Sequence, residues 1–315
     1  MELKLDRLTK QFGSAIAVDR VNATFAPGVY GLLGANGAGK TTLMRMICDV
    51  LRPTSGSVIW NGSPIERLGE RYRNVLGYLP QDFGYYPNFT ALGFMRYLSA
   101  LKGLDAKAAK QRSEELLDLV GLKSVAKRKI KAFSGGMKQR LGIAQAVIND
   151  PKVLVLDEPT AGLDPKERVR FRNLISALSQ DKVVILSTHI VSDVEYIADK
   201  ILIMRAGQII TTGTVEEILR QVSGVVWECM VTPREADVLS ARMAVGNVRY
   251  DHNGMAVVRL VTETPPHRSA RPVEPTLEDV YLYLFQEQSG DMSKSSLGAF
   301  EDSNQRGARR GGRRG

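Results

Sequence analysis

Two cysteines and three histidines in 315 residues leave little material for covalent staples or metal cages. Cys48 and Cys229 are far apart in the chain, which excludes a disulfide framework, and no metal-ligand spacing is present. Cys48 falls among the apolar positions of a helical stretch and reads as a small buried hydrophobe. A reducing cytoplasm fits this usage. Long hydrophobic runs are also missing. None approaches the ~18 residues a membrane helix needs, so any membrane contact has to come through a partner chain or the protein surface. Met1 to Leu8 shows no basic start followed by an apolar block, so no signal peptide is expected.

With 43% hydrophobic and 24% charged residues, the chain has ample material for a buried core. The formal charge of +9 suggests nucleic acid at first, but its distribution argues otherwise. Arg306 to Gly315 holds five arginines and no acid, and the remainder carries 38 basic against 34 acidic residues. Much of the excess therefore sits in a Gly/Arg tail from 289 to 315. The tail is expected to be disordered and to act as a solvated end, with RNA or anionic lipid as the competing contacts. No specific nucleic-acid partner is expected.

The organising stretch is Gly34-Ala35-Asn36-Gly37-Ala38-Gly39-Lys40-Thr41-Thr42, which fits G-x-x-x-x-G-K-[ST] in full. The apolar run Val29 to Leu33 precedes it, and the helix-like stretch Leu43 to Leu51 follows. The glycines let successive backbone N–H groups face one phosphate chain, and the following helix adds its positive end. Lys40 then reaches the terminal phosphates, and the Thr41 hydroxyl is a Mg²⁺ ligand. A nucleoside triphosphate is the expected ligand, with Mg²⁺ as its companion.

Residues 1 to 28 read as strands, and Phe12 within them is a candidate to stack on a base or to join the core. Val75 to Leu79 reads as a short buried strand delivering Gln81. Residues of about 90 to 149 carry helical spacing, as an insertion of three helices, the third beginning after Ser134. Val153 to Leu156 and Val183 to Leu186 are continuous apolar runs, as in central parallel strands, ending in Asp157-Glu158 and in Ser187-Thr188-His189. A helix from Pro165 to Ser179 bridges them. From 219 to 288 a smaller α+β unit is expected. It comprises a strand at 225–231, a helix at 233–244, a hairpin around Asn253-Gly254, a Pro-rich loop at 264–275 and a helix capped by Thr276 and Asp279.

Four strand ends thus deliver the phosphate loop, Gln81, Asp157-Glu158 and His189 to one rim, where open α/β sheets bind ligands. Asp157 suits the Mg²⁺ shell, Glu158 can polarise an attacking water, and His189 can donate to a γ-phosphate. Ser134-Gly135-Gly136 at a helix start is a second anion site, which a protein with one nucleotide could use on a neighbour's ATP.

At this point the motifs together resemble the nucleotide-binding subunit of an ATP-binding cassette (ABC) transporter. Ser134-Gly135-Gly136 resembles the family signature, Ala161-Gly162-Leu163-Asp164 its D-loop, and Gln81 and His189 its Q-loop and switch histidine. Asp157 and Glu158 match its Walker B aspartate and catalytic glutamate, and Phe12 its adenine-stacking aromatic. Phe133 and Met137 depart from the usual Leu and Gln of the signature, with the anion-binding Ser-Gly-Gly intact.

The resemblance covers residues 1 to about 220. It implies a P-loop ATPase fold with an N-terminal antiparallel β subdomain, a mostly parallel core sheet and a helical insertion, making 1–218 the ATP-binding domain. Lys40, Gln81, Glu158 and His189 are then the catalytic set, Thr41, Gln81 and Asp157 the metal set, and Asp164 a further nucleotide contact. A head-to-tail dimer of this chain, or of this chain with a paired ABC subunit, is implied, each ATP lying between one phosphate loop and the other subunit's Ser134.

The wording around Gln81 to Gly84, Thr188 to Val194 and Pro275 to Tyr281 resembles bacterial drug- and antibiotic-export ATPases, which pair with a separate permease. That implies a cytoplasmic subunit peripheral to the inner face of the cell membrane. Phe83, Tyr85, Tyr86 and Phe89 fall where such a permease docks, with ordinary core as the competing reading. A soluble ABC ATPase acting on ribosomes or nucleic acid is the alternative function; such members carry tandem cassettes or long coiled coils, and this chain shows neither.

Overall fold

The computed structural model describes residues 1–285; the expected Gly/Arg tail lies outside them. The chain divides into two compact units, Met1–Val215 and Glu216 onward, against an expected boundary at 218.

In the first unit, β1 (Leu3–Phe12) and β2 (Ala15–Phe25) form an antiparallel hairpin. Strand β3 (Gly28–Leu33) runs into the glycine loop and α1 (Lys40–Ile47). Then come β4 (Ser55–Trp60), β5 (Ser63–Pro64), the short helices α2 (Ile65–Leu68) and α3 (Glu70–Asn74), and β6 (Leu76–Leu79). Strands β2-β1-β4-β5 make one antiparallel sheet. The inserted helices are α4 (Ala91–Leu101), α5 (Ala106–Leu119) and α6 (Gly135–Ala146). Thr90, Asp105 and Ser134 cap them, each side-chain oxygen accepting from backbone N–H groups of the first turn.

The chain then re-enters the core as β7 (Val153–Asp157), α7 (Pro165–Leu178), β8 (Val183–Thr188), α8 (Val191–Glu195), β9 (Lys200–Arg205) and β10 (Gln208–Gly213). The second sheet has the order β10-β9-β3-β8-β7-β6, parallel except for β10. Every residue of β7 and β8 is buried, which is why both read as unbroken apolar runs. Each Val, Leu or Ile so buried contributes about 1.5–3 kcal/mol. Strand β6 differs from the expected buried run. It is the sheet's edge, and its side chains alternate between half-buried and buried.

The second unit begins within α9 (Val215–Arg220). It contains β11 (Val226–Val231), α10 (Pro233–Arg242), β12 (Val245–Tyr250), β13 (Ala256–Val261), β14 (Ala270–Pro272) and α11 (Leu277–Phe285). Its sheet order is β12-β13-β11-β14, and Cys229, Val231, Ala236, Val258 and Leu260 form its core. The stretch expected as a Pro-rich loop holds β14, because Ala270 to Pro272 hydrogen-bonds along Cys229 to Trp227. Among the described residues no helix is long and apolar enough to cross a membrane.

Candidate nucleotide site

Parallel pairing brings the ends of β3, β7 and β8 level: Leu33 lies beside Thr188, and Asp157 beside Ser187. The chain leaves β3 into the glycine loop, whose tightness the sequence dictates. A Cβ on Gly34 would lie 2.4 Å from the Met204 carbonyl oxygen. One on Gly39 would lie 2.2 Å from the Ala17 carbonyl oxygen, and Gly39 has φ +104°. Only glycine meets both demands. Gly39 then serves as the left-handed N-cap of α1, with no side chain covering the helix start.

Lys40, the first residue of α1, is buried, and its Nζ donates to the carbonyls of Gly34 (2.7 Å) and Ala35 (3.2 Å). Burial pulls its pKa below the usual lysine value, and the nearby carboxylates of Glu158 and Asp157 work against that fall. Thr41 Oγ1 sits 3.3 Å from Asp157 Oδ1. That same oxygen accepts a 2.6 Å hydrogen bond from Ser187, whereas Asp157 Oδ2 is buried without a hydrogen-bond partner. Behind this floor, Cys48 is fully enclosed, and burial pushes its thiol well above the usual value, so it stays a protonated hydrophobe.

Glu158 adopts φ +49°, a left-handed turn at the exit of β7, and its N–H donates to Ser187 Oγ at 3.0 Å. Its carboxylate lies 2.8 Å from Nδ1 of His189, joining the ends of β7 and β8. The Glu158 side chain is nearly buried while His189 is about half exposed, so the pair opens to solvent through the histidine. Glu158 can accept a proton there, and the Nε2 side of His189 is left to meet a ligand.

Lys40, Thr41, Asp157, Glu158 and His189 therefore converge, as the strand ends suggested. Phe12, Ser134 and Asp164 make their contacts elsewhere. Phe12 is 51% exposed, with Lys10 Nζ 5.1 Å above its ring, so it is no core residue. Ser134 Oγ accepts from the Met137 N–H, and Asp164 caps α7 by accepting from the Glu167 N–H. Gln81 is exposed just beyond β6. Gly135 faces open space, while Gly136 abuts Glu167. Glu167 also lies 3.0 Å from Arg140 Nε as an ion pair, tying α6 to the helix that follows Asp164. The sequence placed Ser187 at a strand end without pointing to a role for it, and carried no signal for the Arg140–Glu167 link, since neither belongs to a spacing pattern.

Beside Gln81, Tyr78, Phe83, Tyr86, Phe94, Tyr97 and Leu101 line an open groove of about 510 Å³. Tyr86 makes edge contacts with Phe94 and Tyr97 and packs at 5.0 Å on Phe89. Tyr86, Phe89 and Tyr97 are 40–50% exposed, whereas Phe94 is buried and Phe83 and Tyr85 are half-buried, so the cluster is an exposed aromatic rim on a buried base.

Residues 18–161 match the ABC transporter family. The chain is 37% identical over 231 residues to an uncharacterized ABC transporter ATP-binding protein of Bacillus subtilis, covering 73% of this chain and 76% of that protein. It is 31% identical over 303 residues to the linearmycin resistance ATP-binding protein of Bacillus subtilis, covering 90% and 97% respectively. Among solved structures, it resembles the dimeric post-hydrolysis state of an ATP-binding cassette bound to ADP and phosphate. That likeness has a TM-score of 0.61 and 25% identity, over 67% of this chain and 98% of the other.

Proposed function

Because the chain belongs to the family of ABC transporter ATP-binding proteins, which are ATPases, we propose that it drives export through a separate membrane permease from the cytoplasmic face. The observation that carries this reading is the convergence of Lys40, Thr41, Asp157, Glu158 and His189 at one rim. A Ser-Gly-Gly helix start accompanies it, with Gly135 facing open space and Ser134 bonded within its own turn.

In this reading Lys40 exchanges its two loop carbonyls for phosphate oxygens. The N–H groups of the loop and of the α1 start hold the rest of the chain of phosphates. The γ-phosphorus gains a bond to a water oxygen as its bond to the β–γ bridging oxygen breaks, giving ADP and phosphate. Glu158 takes the proton of that water, and His189 donates to the γ-phosphate. Thr41 and Asp157, whose unpartnered buried Oδ2 is a hard oxygen donor, fit Mg²⁺, with Gln81 joining from the loop after β6. Bound there, Mg²⁺ neutralises phosphate charge. Phe12, half exposed, stacks on the adenine.

Ser134, Gly135 and Gly136, with Asp164, complete the site on a second subunit, so two ATPs close a head-to-tail dimer. The likeness to a dimeric cassette supports this. The aromatic groove beside Gln81 takes the permease, which links docking to the nucleotide through one short loop. A relative in Cupriavidus metallidurans named as a Nod factor export ATP-binding protein, 35% identical over 219 residues, supports export as the direction.

Fractionation of cells that express the chain, with transport assayed in parallel, tests this. The chain is expected in the membrane fraction, Glu158→Gln should abolish export, and Tyr86→Arg should release the chain while sparing its ATPase. Cosedimentation with ribosomes or nucleic acid and none with membranes would favour the soluble alternative.

A further inference from the structure

One hydroxyl sits between the two acidic residues of the site. Ser187, fully buried on β8, lies directly beside Asp157 in the parallel register. Its Oγ donates to Asp157 Oδ1 at 2.6 Å and accepts the N–H of Glu158 at 3.0 Å. A serine hydroxyl has one proton and two lone pairs, so both bonds form at once.

Each bond constrains a different degree of freedom. Because Oδ1 is taken by Ser187, with Thr41 at 3.3 Å, the rotation of the Asp157 carboxylate is set, and Oδ2 is the oxygen left unpartnered. The second bond acts on the backbone. Glu158 has φ +49°, a conformation that disfavours a residue with a Cβ, and its buried N–H needs a partner there. Two residues further along the same strand end, His189 holds the Glu158 carboxylate. The end of β8 thus grips Glu158 at both its backbone and its side chain, while fixing Asp157 through the same hydroxyl.

We propose that Ser187 is a positioning residue for ATP hydrolysis, orienting Asp157 toward Mg²⁺ and holding Glu158 in its left-handed conformation against His189. This rests on the roles assigned above to Asp157 and Glu158. Ser187 does not touch the nucleotide. Its removal should therefore leave the loop's grip on ATP intact and weaken what Mg²⁺ and the base add.

The test uses the full chain with Ser187→Ala and with Ser187→Cys, which keeps the side-chain volume but makes only weak hydrogen bonds. Binding of a fluorescent ATP analogue is measured with and without Mg²⁺, alongside steady-state hydrolysis and thermal melting. In both variants kcat should fall about 10- to 100-fold, and the gain in affinity conferred by Mg²⁺ should shrink about tenfold, with the KM for Mg·ATP rising to match. Mg²⁺-free binding should stay at the wild-type value. A kcat within about twofold of wild type would overturn the proposal, as would an equal loss of affinity with and without Mg²⁺, which marks a merely structural serine. The Mg²⁺ increment is read without turnover, and wild-type hydrolysis against Lys40→Ala reports separately on the ATPase reading.

Discussion

Replacing Glu158 by glutamine isolates its charge from its shape. The left-handed backbone and its bond to Ser187 Oγ involve only the main chain, so they survive the substitution. The amide fills the same nearly buried space, and stability should change little. What disappears is the carboxylate that faces His189 Nδ1 at 2.8 Å and can take a proton from water. Loss of a general base lowers a rate by about 10²- to 10⁴-fold, equivalent to roughly 2.7–5.5 kcal/mol of barrier.

A second consequence follows from Lys40. Burial already depresses its pKa, and Glu158 is the larger of the two carboxylate influences opposing that. Without Glu158 the Lys40 ammonium loses its proton at a still lower pH. ATP affinity falls as pH rises through that value, because only the charged form attracts phosphate, so the alkaline fall should move downward in Glu158→Gln. Single-turnover phosphate release and a pH series of nucleotide binding measure the two effects. Hydrolysis within about tenfold of wild type would refute the base assignment. An alkaline limb that stays in place would refute the electrostatic coupling.

Three further substitutions probe other parts of the chain. Gly39→Ala drives a Cβ to 2.2 Å from a backbone carbonyl at φ +104°, so stability should drop by about 2 kcal/mol or more and Tm by about 4–8 °C, with ATP binding lost; calorimetry checks it. Ser134→Arg should abolish hydrolysis while ATP still binds the loop in titrations, and loss of that binding would argue against a site acting on a neighbouring subunit. Its cap on α6 is worth only ~1 kcal/mol, so the chain should remain folded. In the second unit, Asp279 accepts from Arg259 Nε (3.0 Å) and Nη2 (2.6 Å) and from Thr276 N and Oγ1 (both 2.7 Å). Burial pushes its carboxyl up, but Arg259 and Thr276 outweigh that and hold it below the ordinary value. Its stabilisation is present above the unfolded-state pKa of about 3.9 and is lost as pH falls through the lower folded value. Asp279→Asn should cost about 3 kcal/mol, seen as faster hydrogen exchange in β13 and α11, and should flatten that acid dependence.

Much of the architecture was legible because it rests on local chemistry. Continuous apolar runs marked β7 and β8, since strands buried on both faces need no polar alternation. The glycine loop declared itself because its backbone demands can be met only by residues without a Cβ. Strands β9 and β10 were missed, although Ile201-Leu202-Ile203-Met204 carries the same continuous apolar signal as β7. Strand β6 read as buried because four residues are too few to separate an edge from a centre.

The sequence by itself determined a triphosphate-binding loop and that Lys40, Thr41, Asp157, Glu158 and His189 lie at the ends of strands meeting one rim. Those facts depend on residue type at fixed spacing along one stretch. Only the tertiary structure decided how the rim is wired. Ser187 bonds Asp157 across 30 residues of chain, and His189 meets Glu158 across 31. Such contacts depend on strand register, and register is set by packing the whole sheet, so no single stretch of sequence contains it.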